Sequence, residues 1–484
     1  MRVFYLALLL FAAGVAPAQT GVNWSPGVSI AASHYGNLHP RVVADKSGNP
    51  LIIWGSGSVN KVNFVRWTGT AFSNPVSLNP DSIPIFTASW AGPDLAARGD
   101  TVYVVYKETP EDGNGIFLVR SINGGINFSP PVRVDAIADS ISRFPAVTAG
   151  DAGNPLVAFM KFDPGFTNAR YVVTRSGNAG NSFGPDVPAS RYSGGYVCDC
   201  CPATVLAAGN TAAVLYRDNL SNLRNNWAGF SFDNGNSFGA SANVDNTGWI
   251  VNSCPASGPD GVLVGDGLYA VFMSAASGKS LCYRSRTAVA SQQLETVEPL
   301  TGNFAGLGQQ NYPRIAASGS AAAVVWTQTV NGSAQLAVQF TDNLSNGFPA
   351  GYATLAAQNV ADADVALANG KIYVVWEDAG SGTVRYMSGT YATSGTPNLP
   401  GAGAAMQVYP NPVTQAEIAV RIDAPEGAGV AYTIVNLQGQ ELRSGHAQQS
   451  AGLLRIDVSG LRQGAYWLRV GWRDRVWMQP LIKE

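Results

Sequence analysis

One short element recurs along this chain and constrains it more than any other feature. A few residues of strand lead through a turn into an apolar strand that ends on aromatic or polar residues. It reads Pro40-Arg-Val-Val-Ala then Leu51-Ile-Ile-Trp54, and next Pro93-Asp-Leu-Ala-Ala then Val102-Tyr-Val-Val-Tyr106. It returns from Pro145, Pro202, Pro259, Pro313 and Ala363, the last closing on Tyr373-Val-Val-Trp376, so there are seven copies about 50–57 residues apart. Each copy is followed by an alternating strand, such as 116–120 or 171–175, and then by a turn and an outer strand. Four strands per unit at this period predict the blades of an all-β propeller, each blade burying its faces against its neighbours. The 3.6-residue periodicity of a helical solenoid is absent. The seventh unit lacks a clear outer strand, while residues 23–31 look like an orphan one, similar to Asn127-Phe-Ser-Pro-Pro-Val-Arg-Val134. We therefore expect the N-terminal strand to close the last blade and remove a free sheet edge.

A second repeat sits in the turns. Ser231-Phe-Asp233-Asn-Gly235-Asn-Ser-Phe238 has a carboxylate that can accept backbone N–H bonds, a glycine suited to positive φ, and an aromatic anchor. Copies with Asn in place of Asp occur at Ser121, Asn123, Gly125, Phe128 and at Ser176, Asn178, Gly180, Phe183, each 55 residues from the next. The pattern resembles the Asp-box (BNR repeat) of sialidase-like β-propellers. That family has six blades, which keeps six as the alternative to the seven counted here.

Charged residues are 13% of the 484, with 54 Gly, 28 Pro and a net charge of −2. This suits short strands and turns, and the charge balance does not point to nucleic acid as a partner. Residues 1–18 read as a secretory signal peptide: Arg2, an apolar run to Val15, then Ala16-Pro17-Ala18. That run is shorter than the roughly 20 residues a membrane span needs, and no later stretch is long enough, so no transmembrane segment is expected. The propeller is assigned to 20–392 and a Gly/Pro-rich linker to 393–405. From 406 to 484, Val408-Tyr-Pro-Asn-Pro412, Tyr432-Thr-Ile-Val-Asn-Leu-Gln-Gly439 and the segment 461–470 resemble the C-terminal sorting domain of type IX secretion. The resemblance implies a small β-sandwich, the secretion machinery as a partner, and export by Sec and then across the outer membrane of a Bacteroidota cell. The protein would end at the cell surface or outside the cell.

In a propeller, the loops entering each inner strand and leaving each second strand open on one face. Here they carry much of the scarce charge: His39, Arg41, Trp90, Asp94, Arg143, Tyr312, Arg314, Asp362 and Asp364 at the entries, and Lys107, Lys161, Arg217, Asp218, Gln328 and Glu377 among the exits. One reading is a ligand mouth, with His39, Arg41, Arg143, Arg217 and Arg314 as binders of an extracellular glycan or protein. The other is a ring of inter-blade ion pairs and caps, because buried charges need partners in either case. The sialidase resemblance implies a third set of roles. Arginines would hold a carboxylate, Asp94, Asp260 or Asp364 would act as acid/base, and Tyr312 would be the nucleophile of an exo-sialidase. The nearest counterpart of that family's Arg-Ile-Pro segment is Arg41-Val-Val, without the proline, and spacing assigns no Tyr–Glu pair.

Cys198, Cys200 and Cys201 precede the inner strand of the fourth unit and Cys254 that of the fifth, on the same face. In an exported protein this predicts disulfides, Cys254 pairing with one of the three, the remaining two pairing with each other or staying free, and Cys282 left as the odd thiol. The alternative is a copper or zinc site, since converging thiolates suit soft ions; otherwise no cofactor is expected. The Gly-x-Ser-x-Gly matches at Gly180 and Gly235 fall inside the Asp-box turns and lack the strand-to-helix context of a nucleophile elbow.

Overall fold

The computed structural model describes residues 21–32, 36–113, 115–135, 140–150, 152–391, 406–422, 425, 427–436, 440–472 and 475–484. The expected signal peptide and linker lie outside them. The chain divides into two compact units, Met1–Ser394 and Gly395–Glu484.

Among the described residues, the first unit holds seven antiparallel sheets of four or five strands. Their innermost strands are Asn37–Ala44, Asp94–Arg98, Ile141–Ala149, Thr204–Ala208, Asp260–Val264, Leu307–Ser318 and Val360–Ala368. Each touches the next in this order, and Val360–Ala368 touches Asn37–Ala44, so the series closes on itself. The architecture is all-β and propeller-like. A 3-10 turn at Leu344–Asn346 is the one helical element among the described residues.

The continuous apolar runs of the second strands follow from this closure. Every sheet is covered on both faces, so alternation gives way to unbroken burial. In Pro50–Ser56, Leu51 and Ile53 enter a core shared with Leu95, Val102 and Val104 of the second sheet. Ile52 and Trp54 turn the other way, into a core shared with Ala366, Tyr373 and Val375 of the seventh. The same division recurs in Thr101–Lys107, whose Tyr103 and Val105 pack with Val157 and Phe159 of the third sheet. Each such side chain contributes about 1.5–3 kcal/mol on burial. The seam is sealed by the start of the described chain: Val22–Trp24 pairs with residues 389–391, and Val28–Ser29 with 385–386.

The three Ser-x-Asp/Asn-x-Gly turns are built alike. The hydroxyl of Ser121, Ser176 or Ser231 accepts the N–H of Gly125, Gly180 or Gly235 at 2.9, 2.7 and 2.8 Å. The side-chain oxygen of Asn123, Asn178 or Asp233 accepts an N–H four residues on. Gly235 has φ +77°, and a Cβ there would stand 2.5 Å from Leu156 Cδ2, so the turn packs on the preceding sheet. Phe238 is buried in the core between the third and fourth sheets, and Phe128 meets Phe64 edge-on at 4.9 Å. A turn with related bonds in the sixth sheet uses Thr341 and Asn343, whose residue types depart too far from the pattern to be read from sequence.

The second unit has two antiparallel sheets, Gln407–Tyr409, Glu417–Arg421 and Leu454–Asp457 in one, and Glu441–Gln448, Gly429–Val435, Gly464–Trp472 and Arg475–Lys483 in the other. Alternate residues of both, including Ile418, Val420, Ile434, Ile456, Leu468 and Val470, share one core.

Candidate functional site

The site grows out of a repeated irregularity. His39, Phe144 and Tyr312 have φ of 55°, 51° and 51°, and each stands just before a proline. At the same places the pairing of first and second strands slips, between Leu38 and Arg41, Arg143 and Ala146, and Asn311 and Arg314. Proline has no N–H to continue the ladder, so the strand bulges and re-aims its side chains toward the axis. Left-handed backbone at a bulky non-glycine residue costs on the order of 1–3 kcal/mol, strain that concentrates at functional sites.

These bulges frame a solvent-open pocket of about 70 Å³ at the entries of all seven inner strands, lined by His39, Trp90, Phe144, Pro202, Pro259, Tyr312 and Asp362 among others. Trp90 packs edge-on against Phe144, with ring centroids 5.2 Å apart. Arg41 Nη1 donates to Asp362 Oδ2 at 2.9 Å. His39 Nδ1 lies 3.4 Å from the same oxygen and 3.1 Å from the Ser89 carbonyl. Burial and, after it, the Arg41 charge hold the His39 pKa well below the ordinary value, so the ring is neutral. Arg314 Nε is 3.1 Å from Asp364 and 3.5 Å from Asp260.

The carboxylates here also serve the backbone. Asp94, Asp260 and Asp364 each accept the N–H of a residue on the following sheet, Val147, Ile315 and Val42, at 2.8, 2.8 and 2.9 Å. Asp94 and Asp364, expected as acid/base candidates, thus stitch neighbouring inner strands together around the axis. Burial raises the pKa of Asp94, Asp260 and Asp362, and nearby arginines oppose the rise. Glu377, an exit residue, accepts from Ser89 Oγ at 3.0 Å. Among the described residues its Oε2 has no partner within bonding geometry, and burial followed by the Asp362 charge pushes its pKa up to about 7. Burial raises the Tyr312 pKa as well, and the charges of Asp362 and Glu377 add to the effect. Sequence spacing could not relate Tyr312 and Glu377; on the neighbouring sixth and seventh sheets they come near enough for the Glu377 charge to act on Tyr312.

Two expected ligand-binding arginines are placed differently. Arg217 is fully buried, and its guanidinium donates to the carbonyls of Ser257, Arg224 and Met273, leaving no face for a ligand. Arg143 pairs with Glu111 at 2.7 Å and lies over the Phe144 ring at 4.5 Å. His39, Arg41, Tyr312 and Arg314 do meet in the pocket.

Cys200 and Cys254 form a disulfide between the loops that enter the fourth and fifth sheets. Cys198 Sγ is 2.6 Å from Cys201 Sγ and 3.6 Å from Cys200 Sγ, and Cys282 is a separate buried thiol. The sulfurs of Cys198, Cys200 and Cys201 lie within 4.8 Å of one another. With Cys200 bridged, two thiols remain, fewer than the four ligands of a structural zinc site, so these residues do not fit that ion.

Residues 407–484 match the family described as the secretion system C-terminal sorting domain. No curated protein sequence matches the chain. Among solved structures it is similar to a Dyadobacter fermentans protein of unknown function (13% identity, 77% of this chain and 100% of that one, TM-score 0.46). It is also similar to an α-L-arabinofuranosidase of Fusarium graminearum (12%, 66% and 98%, TM-score 0.45) and a sialidase of Trypanosoma rangeli (10%, 96% and 89%, TM-score 0.42).

Proposed function

We propose that this is an exported seven-bladed β-propeller that binds a neutral glycan at its axial mouth, carried out of the cell by a β-sandwich sorting tail. The observation that carries the ligand class is the charge balance of the pocket. Arg41 and Arg314 are already paired, and they face Asp94, Asp260, Asp362 and Asp364, so there is no spare positive charge for an anionic sugar. Carboxyls, aromatic rings and a neutral imidazole suit a polyhydroxylated ring instead, its hydroxyls donating to carboxylates and its apolar face lying on Trp90 or Tyr312. The backbone strain at His39 and Tyr312 supports a site held in place for a ligand. A glycan array probed with the full secreted chain and with Trp90→Ala tests this. Neutral glycans should bind the native protein and be lost on the variant; an array that stays blank, or binding indifferent to Trp90, overturns it.

A second reading is favoured by Glu377. A carboxyl held near pH 7 beside Asp362 and Tyr312 is suited to proton transfer in glycoside cleavage. Here Glu377 would be the acid/base and Tyr312 a nucleophile. Release of chromophore from aryl glycosides, including an aryl sialoside, separates this reading from binding alone: turnover abolished by Glu377→Gln supports it, and no turnover on any substrate removes it.

A further inference from the structure

The loop that enters the fourth sheet carries a pair of thiols that neither the fold nor the mouth requires. Cys198 and Cys201 are both fully buried, with their sulfurs 2.6 Å apart, closer than two unbonded sulfur atoms ordinarily approach. A turn sets this distance: the N–H of Cys201 donates to the Cys198 carbonyl at 3.2 Å, so the two side chains leave the same side of a four-residue bend. The bend is held from both ends. The Cys198 N–H donates to the Arg217 carbonyl at 2.8 Å, and Tyr171 Oη donates to the Cys201 carbonyl at 2.6 Å. Between them, Cys200 has its sulfur 3.6 Å from that of Cys198 and is already bridged to Cys254, 54 residues on.

We propose that Cys198 and Cys201 are a reversible dithiol–disulfide pair that opens and closes while the Cys200–Cys254 bridge stays shut. The two bridges differ in what they hold. Cys200–Cys254 closes a long loop across two sheets, so its loss frees much chain entropy, whereas Cys198–Cys201 spans a turn that backbone bonds already form. Their chemistry is also asymmetric. The hydrogen bond from Cys201, then the Cys200 backbone and the charges of Arg217 and Arg224, bring the Cys198 thiol down to about 7 against the opposing effect of burial. Burial, and then Cys198 itself, push the Cys201 thiol well above its usual value. Cys198 is therefore the attacking and leaving sulfur, and Cys201 the resolving one.

Complete burial shuts out a protein oxidant and favours a small one such as a peroxide. The Cys198 thiolate attacks the peroxide O–O bond, forming a sulfenic acid and releasing hydroxide, which takes up the thiol proton as water. Cys201 sulfur then displaces hydroxide from Cys198 sulfur, and its own proton leaves in a second water. Two thiols and one hydrogen peroxide thus become one disulfide and two waters.

The test is thiol counting on the full secreted chain. Untreated protein, alkylated after unfolding without reductant, should show three reactive thiols, at Cys198, Cys201 and Cys282. After an equivalent of hydrogen peroxide it should show one, at Cys282, with the mass lower by two hydrogens. Proteolysis before aspartates should then yield three joined peptides, the one ending at Cys198 linked through Cys201 to the one starting at Asp199, and that one linked through Cys200 to the peptide holding Cys254. Dilute dithiothreitol should restore both thiols before Cys254 becomes reactive. The variant Cys198→Ser should keep two thiols before and after peroxide. Persistence of three thiols, over-oxidation of Cys198 to sulfinic acid without a bridge, a link from Cys198 to Cys200 or Cys254, or simultaneous opening of both bridges overturns the proposal. The measurements on the native chain stand whether or not the variant folds.

Discussion

Asp364 holds both sides of the seam between the last sheet and the first. One oxygen accepts Arg314 Nε at 3.1 Å and the other accepts the Val42 N–H at 2.9 Å. The side chain thereby joins a strand near the end of the unit to one near its beginning, across the point where the ring must close. Asp364→Ala leaves Arg314 with Asp260 as its remaining strand-borne partner and uncaps the Val42 N–H, so a loss of about 1–3 kcal/mol is expected. Asp364→Asn keeps an acceptor and should cost less. Denaturant midpoints at unchanged m-value check the ordering, and equal losses in the two variants would remove the ion-pair argument.

Glu377 makes stability fall with rising pH. Its folded pKa of about 7 lies above the roughly 4.3 of an unfolded glutamate, so the folded state holds its proton longer. The contribution is complete below the unfolded value and is lost as pH rises through about 7. Glu377→Gln should flatten the stability profile between about pH 4.5 and 7 and make the variant the more stable protein at pH 8, by on the order of 1–3 kcal/mol. Thermal melts across that window measure it.

The turns at Ser121, Ser176 and Ser231 bond their own backbone and pack on the preceding sheet, so their variants should destabilise without changing the mouth. Ser231→Ala removes the acceptor of the buried Gly235 N–H and should cost about 1–3 kcal/mol. Gly235→Ala should cost at least as much, because a Cβ adds strain at φ +77° and meets Leu156. Urea unfolding reads both effects.

Cys254→Ser opens the bridge between the fourth and fifth entry loops. A loss of about 2–4 kcal/mol is expected under oxidising conditions, and none when the native protein is compared in its fully reduced form. Paired melts with and without reductant make the comparison.

Removal of 407–484 deletes the matched sorting domain. The truncated protein should stay with the cells that make it, while the full chain reaches the medium or the cell surface. Fractionation with immunoblotting distinguishes the two, and unimpaired export of the truncated chain would contradict the sorting role.

Much of this molecule is written locally. The period from Pro40 to Ala363, the Ser-x-Asp/Asn-x-Gly turns and the orphan strand at 23–31 depend on residues near one another in sequence. The apolar runs 51–54 and 102–106 already require sheets covered on both faces. The tail was legible for the same reason, since its motifs are contiguous. Arg217 shows the limit. Its position after a second strand placed it at the mouth, but whether a side chain there turns outward or into the fold depends on the carbonyls of Ser257 and Met273, some 40 and 56 residues away.

By itself, then, the chain's order of residues determined an all-β repeat with an exported tail, because hydrophobic alternation and turn chemistry act over a few positions. The tertiary structure alone decided which entry residues became latches and which stayed free. Asp94, Asp260 and Asp364 occupy the repeat position that Arg41 and Arg314 hold in other copies, yet each found a backbone N–H on the adjoining sheet to satisfy. Those partners lie on neighbouring blades and come within reach only once the ring has closed.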